Sequence, residues 1–169
     1  MTPLDINIGL NAVIMAVTED APRVLTIHPD LISEQSSSEN NGIALPFGPF
    51  EPNRHRTLEL GLREWVEEQT GLSLGYVEQL YTFGDRYRDP RERAGGSRVV
   101  SIGYLALVRE SNPFHTKNAE WANCYDFLPW EDWRNGRPSL IDEYIFPALE
   151  QWMSAVPEEQ KQRAERVSI

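Results

Sequence analysis

The sequence predicts an α/β (α+β) domain in which a mixed β-sheet carries helices on its faces. Residues 6–17 form a nearly continuous apolar run with β-branched members, which predicts a buried strand. Residues 98–108 give the clearest strand pattern in the chain. Between these runs, residues 57–72 place apolar side chains at helical spacing. This alternation of strands and helix indicates a mixed sheet covered by helices.

The central helix has signals at both of its ends. Thr57 is a suitable N-cap, Glu59 falls in the first turn, and Gly71 is a typical helix stop. The residues that would face the core share one mostly apolar stripe: Leu58, Leu62, Trp65, Val66 and Gln69. The sequence therefore predicts a helix of about four turns packed on the sheet.

Shorter patterns complete the predicted order. The turn TEDAPR joins the first strand to a second at 24–27, and strand-forming residues recur at 76–83. Residues 43–45 and 119–128 are also predicted as strands. A polar, serine-rich stretch at 33–42 predicts a surface loop. Residues 140–153 predict a closing helix, with a kink at Pro147.

The composition limits the classes of function. With 169 residues, 40% of them apolar, the chain suffices for one domain with a core. No apolar run is long enough to span a membrane and the start lacks signal-peptide features, so we expect a cytoplasmic protein without membrane contact. The formal charge of −10, from 16 basic and 26 acidic residues, argues against DNA binding by this domain itself.

Three glutamates on the predicted helix form the first candidate site. Glu64, Glu67 and Glu68 are three and four residues apart, so their side chains are neighbours on one helix face. Carboxylates this close repel one another unless a cation lies between them, and Mg²⁺ prefers oxygen ligands. A solvated acidic face is the alternative interpretation.

The helix and the preceding ALPFGPFEP resemble the signature of the Nudix superfamily, G-x5-E-x7-R-E-U-x-E-E-x-G-U, where U is a bulky aliphatic residue. In that family the loop and helix hold a divalent metal against a diphosphate. One register keeps the glutamates at 64, 67 and 68 as catalytic and metal-binding residues, but it requires an inserted residue before Gly71. Such an insertion rotates the following residues by about 100° relative to the metal face.

The second register has no gap, and we favour it because both helix ends and the aliphatic Val66 fit at once. Trp65, Glu68 and Gln69 then take the positions of the three glutamates, so one carboxylate remains. The loop glutamate of the signature falls at or near residues 54–56, which are Arg, His and Arg. A cationic side chain there opposes metal binding by like-charge repulsion.

A second candidate site lies in an arginine-rich stretch. Five arginines fall within thirteen positions, namely Arg86, Arg88, Arg91, Arg93 and Arg98. Such a cluster suits a small anionic ligand, and a solvated surface loop is the competing interpretation.

The same stretch carries a more specific resemblance. Its motifs EQLYTFGD at 78–85, RDPR at 88–91 and RVVS at 98–101 resemble bacterial regulators of NAD metabolism of the NrtR and NadQ kind. In those regulators a Nudix-like domain precedes a winged-helix DNA-binding domain. The resemblance implies a Nudix fold, with a mixed β-sheet sandwiched between helices, and a domain that binds ADP-ribose or a related nucleotide.

The expected function is therefore ligand sensing without efficient hydrolysis, and the alternative is an active Mg²⁺-dependent Nudix hydrolase. A sensor requires no cofactor, whereas the hydrolase requires Mg²⁺. In the expected ligand set, Arg54 or Arg56 replaces Mg²⁺ as a fixed counter-charge, and Phe83 or Tyr81 stacks on adenine. Arg88, Arg91 and Arg98 bind anionic oxygens. The set is Arg54, Arg56, Tyr81, Phe83, Arg88, Arg91 and Arg98.

The expected domain organisation follows from the same resemblance. Residues 1–154 form the Nudix-like domain, and residues 155–169 form a linker or tail that leads to a winged helix absent from this chain. We expect a homodimer that contacts DNA only through that additional domain.

Overall fold

The computed structural model describes residues 6–28, 42–110 and 118–167. The chain divides into two compact units, Met1–Asn123 and Cys124–Ile169. The first unit holds the β-sheet and the central helix, and the second is helical. Apart from its last residue, the loop predicted at 33–42 lies outside the described residues.

Six strands form one mixed sheet in the first unit. β1 and β5 are parallel, and the other pairs are antiparallel. The order is β4-β5-β1-β2-β6, with β3 paired to the first half of β1. This confirms the predicted mixed sheet. The strands are β1 (Ile6–Thr18), β2 (Ala21–Ile27), β3 (Phe47–Pro49), β4 (Glu78–Phe83), β5 (Arg98–Leu107) and β6 (Ala119–Asn123).

Alternation along β1 separates the two faces of the sheet. Its even-numbered residues from Leu10 to Ala16 are buried, whereas the residues between them are more exposed. The buried face packs against α1 (Leu58–Thr70), which contributes Leu62 and Val66 to the core. Glu19 and Asp20 adopt positive φ angles of 53° and 58° between β1 and β2, as tight hairpin turns require.

Both predicted caps of α1 are present. The Thr57 hydroxyl accepts a hydrogen bond from the Leu60 N–H at 3.1 Å. Gly71 has φ 72°, and its N–H donates to the Glu67 carbonyl at 2.8 Å. That last bond joins residues four apart, so the helical hydrogen-bond pattern stays regular up to Gly71.

Two strand predictions were wrong in their bounds. In place of a strand at 43–45, Ala44 forms one isolated bridge with Ile27, and the strand that follows is β3. The strand predicted at 119–128 ends at Asn123, after which residues Cys124–Phe127 form a helical turn. The four residues of that turn are compatible by composition with a strand or a helix, so the local sequence pattern alone did not distinguish the two.

The remaining helices are short. α2 (Pro90–Arg93) precedes β5, and the second unit contains α3 (Cys124–Phe127), 3₁₀ turns at Pro129–Glu131 and Pro157–Glu159, α4 (Phe146–Ser154) and α5 (Gln160–Val167). A π-helical turn, Ile141–Ile145, leads into α4, and Pro147 lies in the first turn of α4, where its missing N–H is tolerated. Among the described residues, none of the helices has the length and apolarity to cross a membrane.

Candidate functional site

An arginine holds two of the glutamates of α1 together. The Arg54 Nε and Nη2 groups donate to Glu64 Oε1 at 2.9 and 2.6 Å, and Nη2 also donates to Glu68 Oε1. Glu64 and Glu68 are one helical turn apart, so one guanidinium reaches both. We call Arg54, Glu64 and Glu68 the arginine cluster.

Two further features define the state of Arg54. Hydrogen bonds from the guanidinium to Glu64 and then Glu68 raise the pKa of Arg54 above its ordinary value, so it remains charged at every physiological pH. Its guanidinium carbon also lies 5.1 Å from the centre of the Trp65 ring, within cation–π distance. Ion pairs with Glu64 and Glu68 and a cation–π contact with Trp65 together fix the position of Arg54.

This arrangement does not fit a divalent metal. The guanidinium stands between the carboxylates of Glu64 and Glu68, and a second cation there would be repelled. Glu67 is exposed and takes no part in the contacts of Arg54 within the described part of the chain. Over the same described residues, no group of three or more His, Cys, Asp and Glu side chains is arranged to hold a metal ion.

The positions aligned with two signature glutamates in the ungapped register carry N–H donors. The Trp65 indole N–H donates to the Pro49 carbonyl at 2.8 Å. The Gln69 amide donates to the Phe47 carbonyl at 2.6 Å and accepts from the Phe47 N–H at 3.0 Å. Both side chains therefore form hydrogen bonds with backbone groups of β3. An ionised carboxylate has no donor, so at either position it could not bind the backbone carbonyl.

Close packing fixes α1 against β3. A Cβ atom at Gly48 would lie 2.3 Å from the Trp65 ring, so only glycine fits beneath the indole. The same indole lies edge-on to the ring of His55, with centroids 6.0 Å apart. Trp65 of α1 thus contacts both Gly48 of β3 and His55 of the loop before α1.

His55 anchors the loop that carries Arg54. Its ring is buried, and its Nδ1 accepts a hydrogen bond from the Glu51 N–H at 3.0 Å. In the neutral imidazole the ring proton is therefore assigned to Nε2. Nε2 lies 3.3 Å from Glu64 Oε2 but forms no hydrogen bond with good geometry among the described residues. Gly61 makes room for the ring, because a Cβ there would lie 2.7 Å from His55 Nδ1.

The residues predicted near β4 lie apart from this cluster in the chain and form their own contacts. The rings of Tyr81 and Phe83 meet edge-to-face at 4.9 Å, and the Arg88 guanidinium lies 4.2 Å from the centre of the Phe83 ring. Arg98 donates to the Gly84 carbonyl at 2.7 Å, so that guanidinium supports the backbone after β4.

Two of the predicted ligand residues make no described contribution to these contacts. Arg56 is exposed in the loop before α1. The side chain of Arg91 lies outside the described part of the chain. The structure thus brings Phe83 and Arg88 together and places Arg54 in the arginine cluster.

Sequence reasoning missed a groove on the sheet face opposite α1. This sheet groove has a volume of about 490 Å³ and is lined mainly by β1, β3 and the start of β5, including Asn7, Gly9, Asn11 and Ser101. A neighbouring loop cavity of about 510 Å³ shares Asn7 and Pro49 with it and extends to Arg54. The sequence feature that could have indicated this groove is the pair Asn7 and Asn11 inside the otherwise apolar strand β1.

Solved structures with the Nudix fold resemble this chain. The NUDIX domain of Shewanella oneidensis NrtR, complexed with ADP ribose, is 21% identical, with a TM-score of 0.58 over 72% of this chain and 75% of that one. NrtR of the same organism, complexed with a 27mer DNA, is 20% identical with a TM-score of 0.58 over 85% of this chain and 63% of that one.

A MutT/nudix family protein from Enterococcus faecalis is 26% identical, with a TM-score of 0.56 over 69% of this chain and 43% of that one. No family model and no curated protein sequence matches the chain. The chain has the Nudix fold, and the resemblance inferred from its sequence is confirmed at that level. Because a fold hosts both binders and catalysts, the activity must be argued from the site.

Proposed function

We propose that this domain senses ADP-ribose or a related nucleoside diphosphate without hydrolysing it efficiently, as part of a transcriptional regulator of NAD metabolism. The observation that carries the proposal is the guanidinium of Arg54 between Glu64 and Glu68. The NUDIX domain of Shewanella oneidensis NrtR, to which the chain is similar, has been crystallised with ADP ribose.

The chemistry of a guanidinium explains why binding and hydrolysis separate. A metal ion catalyses hydrolysis by polarising the phosphoryl oxygen and by lowering the pKa of a bound water. A guanidinium supplies positive charge and directed N–H donors but no open coordination position for water. The charge of Arg54 is balanced by Glu64 and Glu68, so Arg54 serves a diphosphate as an N–H donor and does not generate the hydroxide that would attack it.

The placement of Arg54 leaves it accessible to a ligand. The residue lines the loop cavity, and its Nη1 lies 3.9 Å from Glu51 Oε2, beyond hydrogen-bond distance. The contacts to Glu64 and Glu68 use Nε and Nη2, and within the described residues Nη1 makes no hydrogen bond, so its N–H groups can donate to an anionic oxygen. Paired donors of this kind suit a phosphate oxygen.

The test compares Arg54→Gln and Arg54→Lys with the parent. We expect the parent to bind ADP-ribose by isothermal titration calorimetry and to release no AMP with Mg²⁺ or Mn²⁺. Loss of the charged donor in Arg54→Gln should weaken binding about tenfold or more, since a hydrogen bond to a charged group contributes about 1.5–3 kcal/mol. Arg54→Lys keeps the charge without the planar fork and should fall between the two.

The alternative is a Mg²⁺-dependent Nudix hydrolase, which the convergence of Glu64 and Glu68 on a single cation favours. In that case Arg54→Gln should free the carboxylate pair and increase metal-dependent AMP release. Robust turnover by the parent, abolished in Glu68→Gln, would reverse our preference. Unchanged binding of ADP-ribose by Arg54→Gln would remove the role given to the arginine cluster.

We also propose that the domain acts as a homodimer and reaches DNA through an additional domain. The chain covers 63% of the length of the NrtR protein crystallised with DNA, and its own net charge is −10. A domain with this charge should give no mobility shift with duplex DNA at physiological salt. Light scattering after size-exclusion chromatography measures the oligomeric state, and a monomer at all accessible concentrations would contradict the dimer.

A further inference from the structure

Strand β4 lies at one edge of the sheet, and its outer side is open. Over the residues that the structure describes, β4 pairs with β5 alone and ends the strand order. Five of its six residues are exposed. The backbone N–H and C=O groups on the outer side of an edge strand can pair with a further strand. β4 therefore presents a surface to which another strand can add.

This edge carries few of the features that usually prevent such pairing. β4 contains no proline and no lysine, and its one charged side chain, Glu78, stands at its start. A register shift near Leu80 interrupts the edge once. Leu80 and Tyr81, which are 52% and 61% exposed, place apolar surface at the middle of the strand. Tyrosine is enriched in the centres of protein–protein interfaces.

Opposite charges stand at the two ends of β4. Glu78 begins the strand, and an arginine-rich loop follows its end. Between residues 84 and 98 five arginines stand against three acidic residues, although the whole chain has a net charge of −10. Arg86 is exposed, and its guanidinium carbon lies 4.7 Å from the centre of the Tyr87 ring. The edge is thus acidic at its start and cationic beyond its end.

Such an edge is complementary to a second copy of itself. In an antiparallel pair the start of one strand lies beside the end of the other, so Glu78 of each copy approaches the arginine-rich loop of the other. A parallel pair would instead bring like charges together. Antiparallel pairing about a two-fold axis uses the β4 edge of both copies and closes at a dimer. Pairing of β4 with the other sheet edge, β6, would leave free edges and form open chains.

We propose that a second copy of this chain docks on β4, edge to edge and antiparallel, so that the two sheets join across a two-fold axis. The side chains of Leu80 and Tyr81 pack at the centre of this interface. At each end Glu78 pairs with Arg86 of the other copy. The inference rests on the homodimer proposed above and assigns its interface, independently of ligand binding.

Leu80→Lys tests the centre of the interface. The two-fold axis brings the new charges of both copies close together, and lysine on an edge strand opposes strand addition. Leu80 is exposed in the single chain, so the substitution should leave folding unchanged, which circular dichroism checks. We expect the dissociation constant of the dimer, measured by sedimentation equilibrium, to rise about tenfold or more.

The matched control is Leu60→Lys. Leu60 is 51% exposed, close to the 52% of Leu80, but it belongs to α1 and not to β4. The control therefore makes the same chemical change at the same exposure on another surface. Its dimer dissociation constant should equal that of the parent.

A charge exchange tests the ends of the interface. Glu78→Lys and Arg86→Glu each place like charges opposite one another and should weaken the dimer. The double variant restores opposite charges in the reverse order and should recover the affinity of the parent, because a double-mutant cycle reports direct coupling. Added salt should reduce the effect of both single changes, since these charges are exposed.

The outcomes separate this inference from the proposals on which it rests. A Leu80→Lys dimer as tight as that of the parent would overturn the interface while the homodimer stands. A double charge variant that associates no more tightly than either single variant would overturn the antiparallel arrangement. A parent that stays monomeric at all accessible concentrations would overturn both the homodimer and this inference, and the binding of ADP-ribose keeps its own test by calorimetry.

Discussion

Helix α1 and strand β4 each hold predicted ligand residues, Arg54 in the loop before α1 and Tyr81 and Phe83 within β4, but they differ in how firmly the fold holds those residues. α1 buries Leu62 and Val66, clamps β3 through Trp65 and Gln69, and holds Arg54 by ion pairs. β4 is an edge strand, five of its six residues are exposed, and its pairing with β5 shifts register near Leu80.

The difference separates two ways of presenting a charged side chain. Around α1, hydrogen bonds, a buried histidine ring and a close glycine contact determine the position of Arg54 before any ligand binds. Beside β4, Arg88 rests on the exposed side of the sheet edge through a cation–π contact with Phe83. A preorganised arginine loses less freedom on binding, so under the proposed function we expect the helix side to contribute the larger share of ligand affinity.

The largest expected difference comes from the same substitution in the two elements. Leu62 is 1% exposed and Leu80 is 52% exposed. Leu62→Ala should lower the free energy of unfolding by about 2–5 kcal/mol because it leaves a cavity in the core. Leu80→Ala should change it by about 0.5 kcal/mol or less. Urea unfolding followed by circular dichroism measures both, and equal losses would contradict the contrast.

A smaller difference is expected for two glycines. In Gly48→Ala the new methyl would overlap the Trp65 ring at 2.3–2.5 Å, whereas at Gly84 it would meet no atom within 4 Å. Overpacking of this kind destabilises proteins by about 1–3 kcal/mol. Thermal unfolding should therefore show a clear decrease for Gly48→Ala only. If Gly48→Ala is as stable as the parent, the tight contact of β3 with α1 is not required.

The smallest effect concerns Tyr104 of β5, whose hydroxyl contacts Gln79 of β4 at 3.4 Å. Burial, followed by the charge of Glu59, raises the pKa of Tyr104 above its ordinary value. The folded state then retains a proton that the unfolded state loses, so this contribution is present below pH 10 and disappears as the pH rises further. Tyr104→Phe should flatten the decline in stability above pH 10 in denaturant titrations. An identical decline in both proteins would exclude this cause.

The sequence predicted the features whose signals are local. Thr57 and Gly71 marked the ends of α1, because caps depend on the conformation of a few adjacent residues. The β1–β2 hairpin and β5 followed from apolar runs and turn residues. The bounds of β3 and β6 were missed, because short strands are set by pairing with distant residues and hold little pattern of their own.

The candidate site shows the same limit. The charge reversal in the loop before α1 was visible in the sequence, but the choice between Arg54 and Arg56 was not. Only the loop path, held by His55, brings Arg54 to the carboxylates of Glu64 and Glu68. The groove over β1 also depended on strand pairing, since Gly103 is far from Asn11 in the chain and adjacent to it in the sheet.

By itself, the sequence determined where the helix begins and ends, which strands form the sheet centre, and that the loop before α1 carries cationic side chains. The tertiary structure decided which cation lies between the carboxylates and where the neutral groove opens. The physical reason is range: caps and apolar periodicity act over a few residues, whereas an ion pair or a recess between strands requires residues that only the fold brings together.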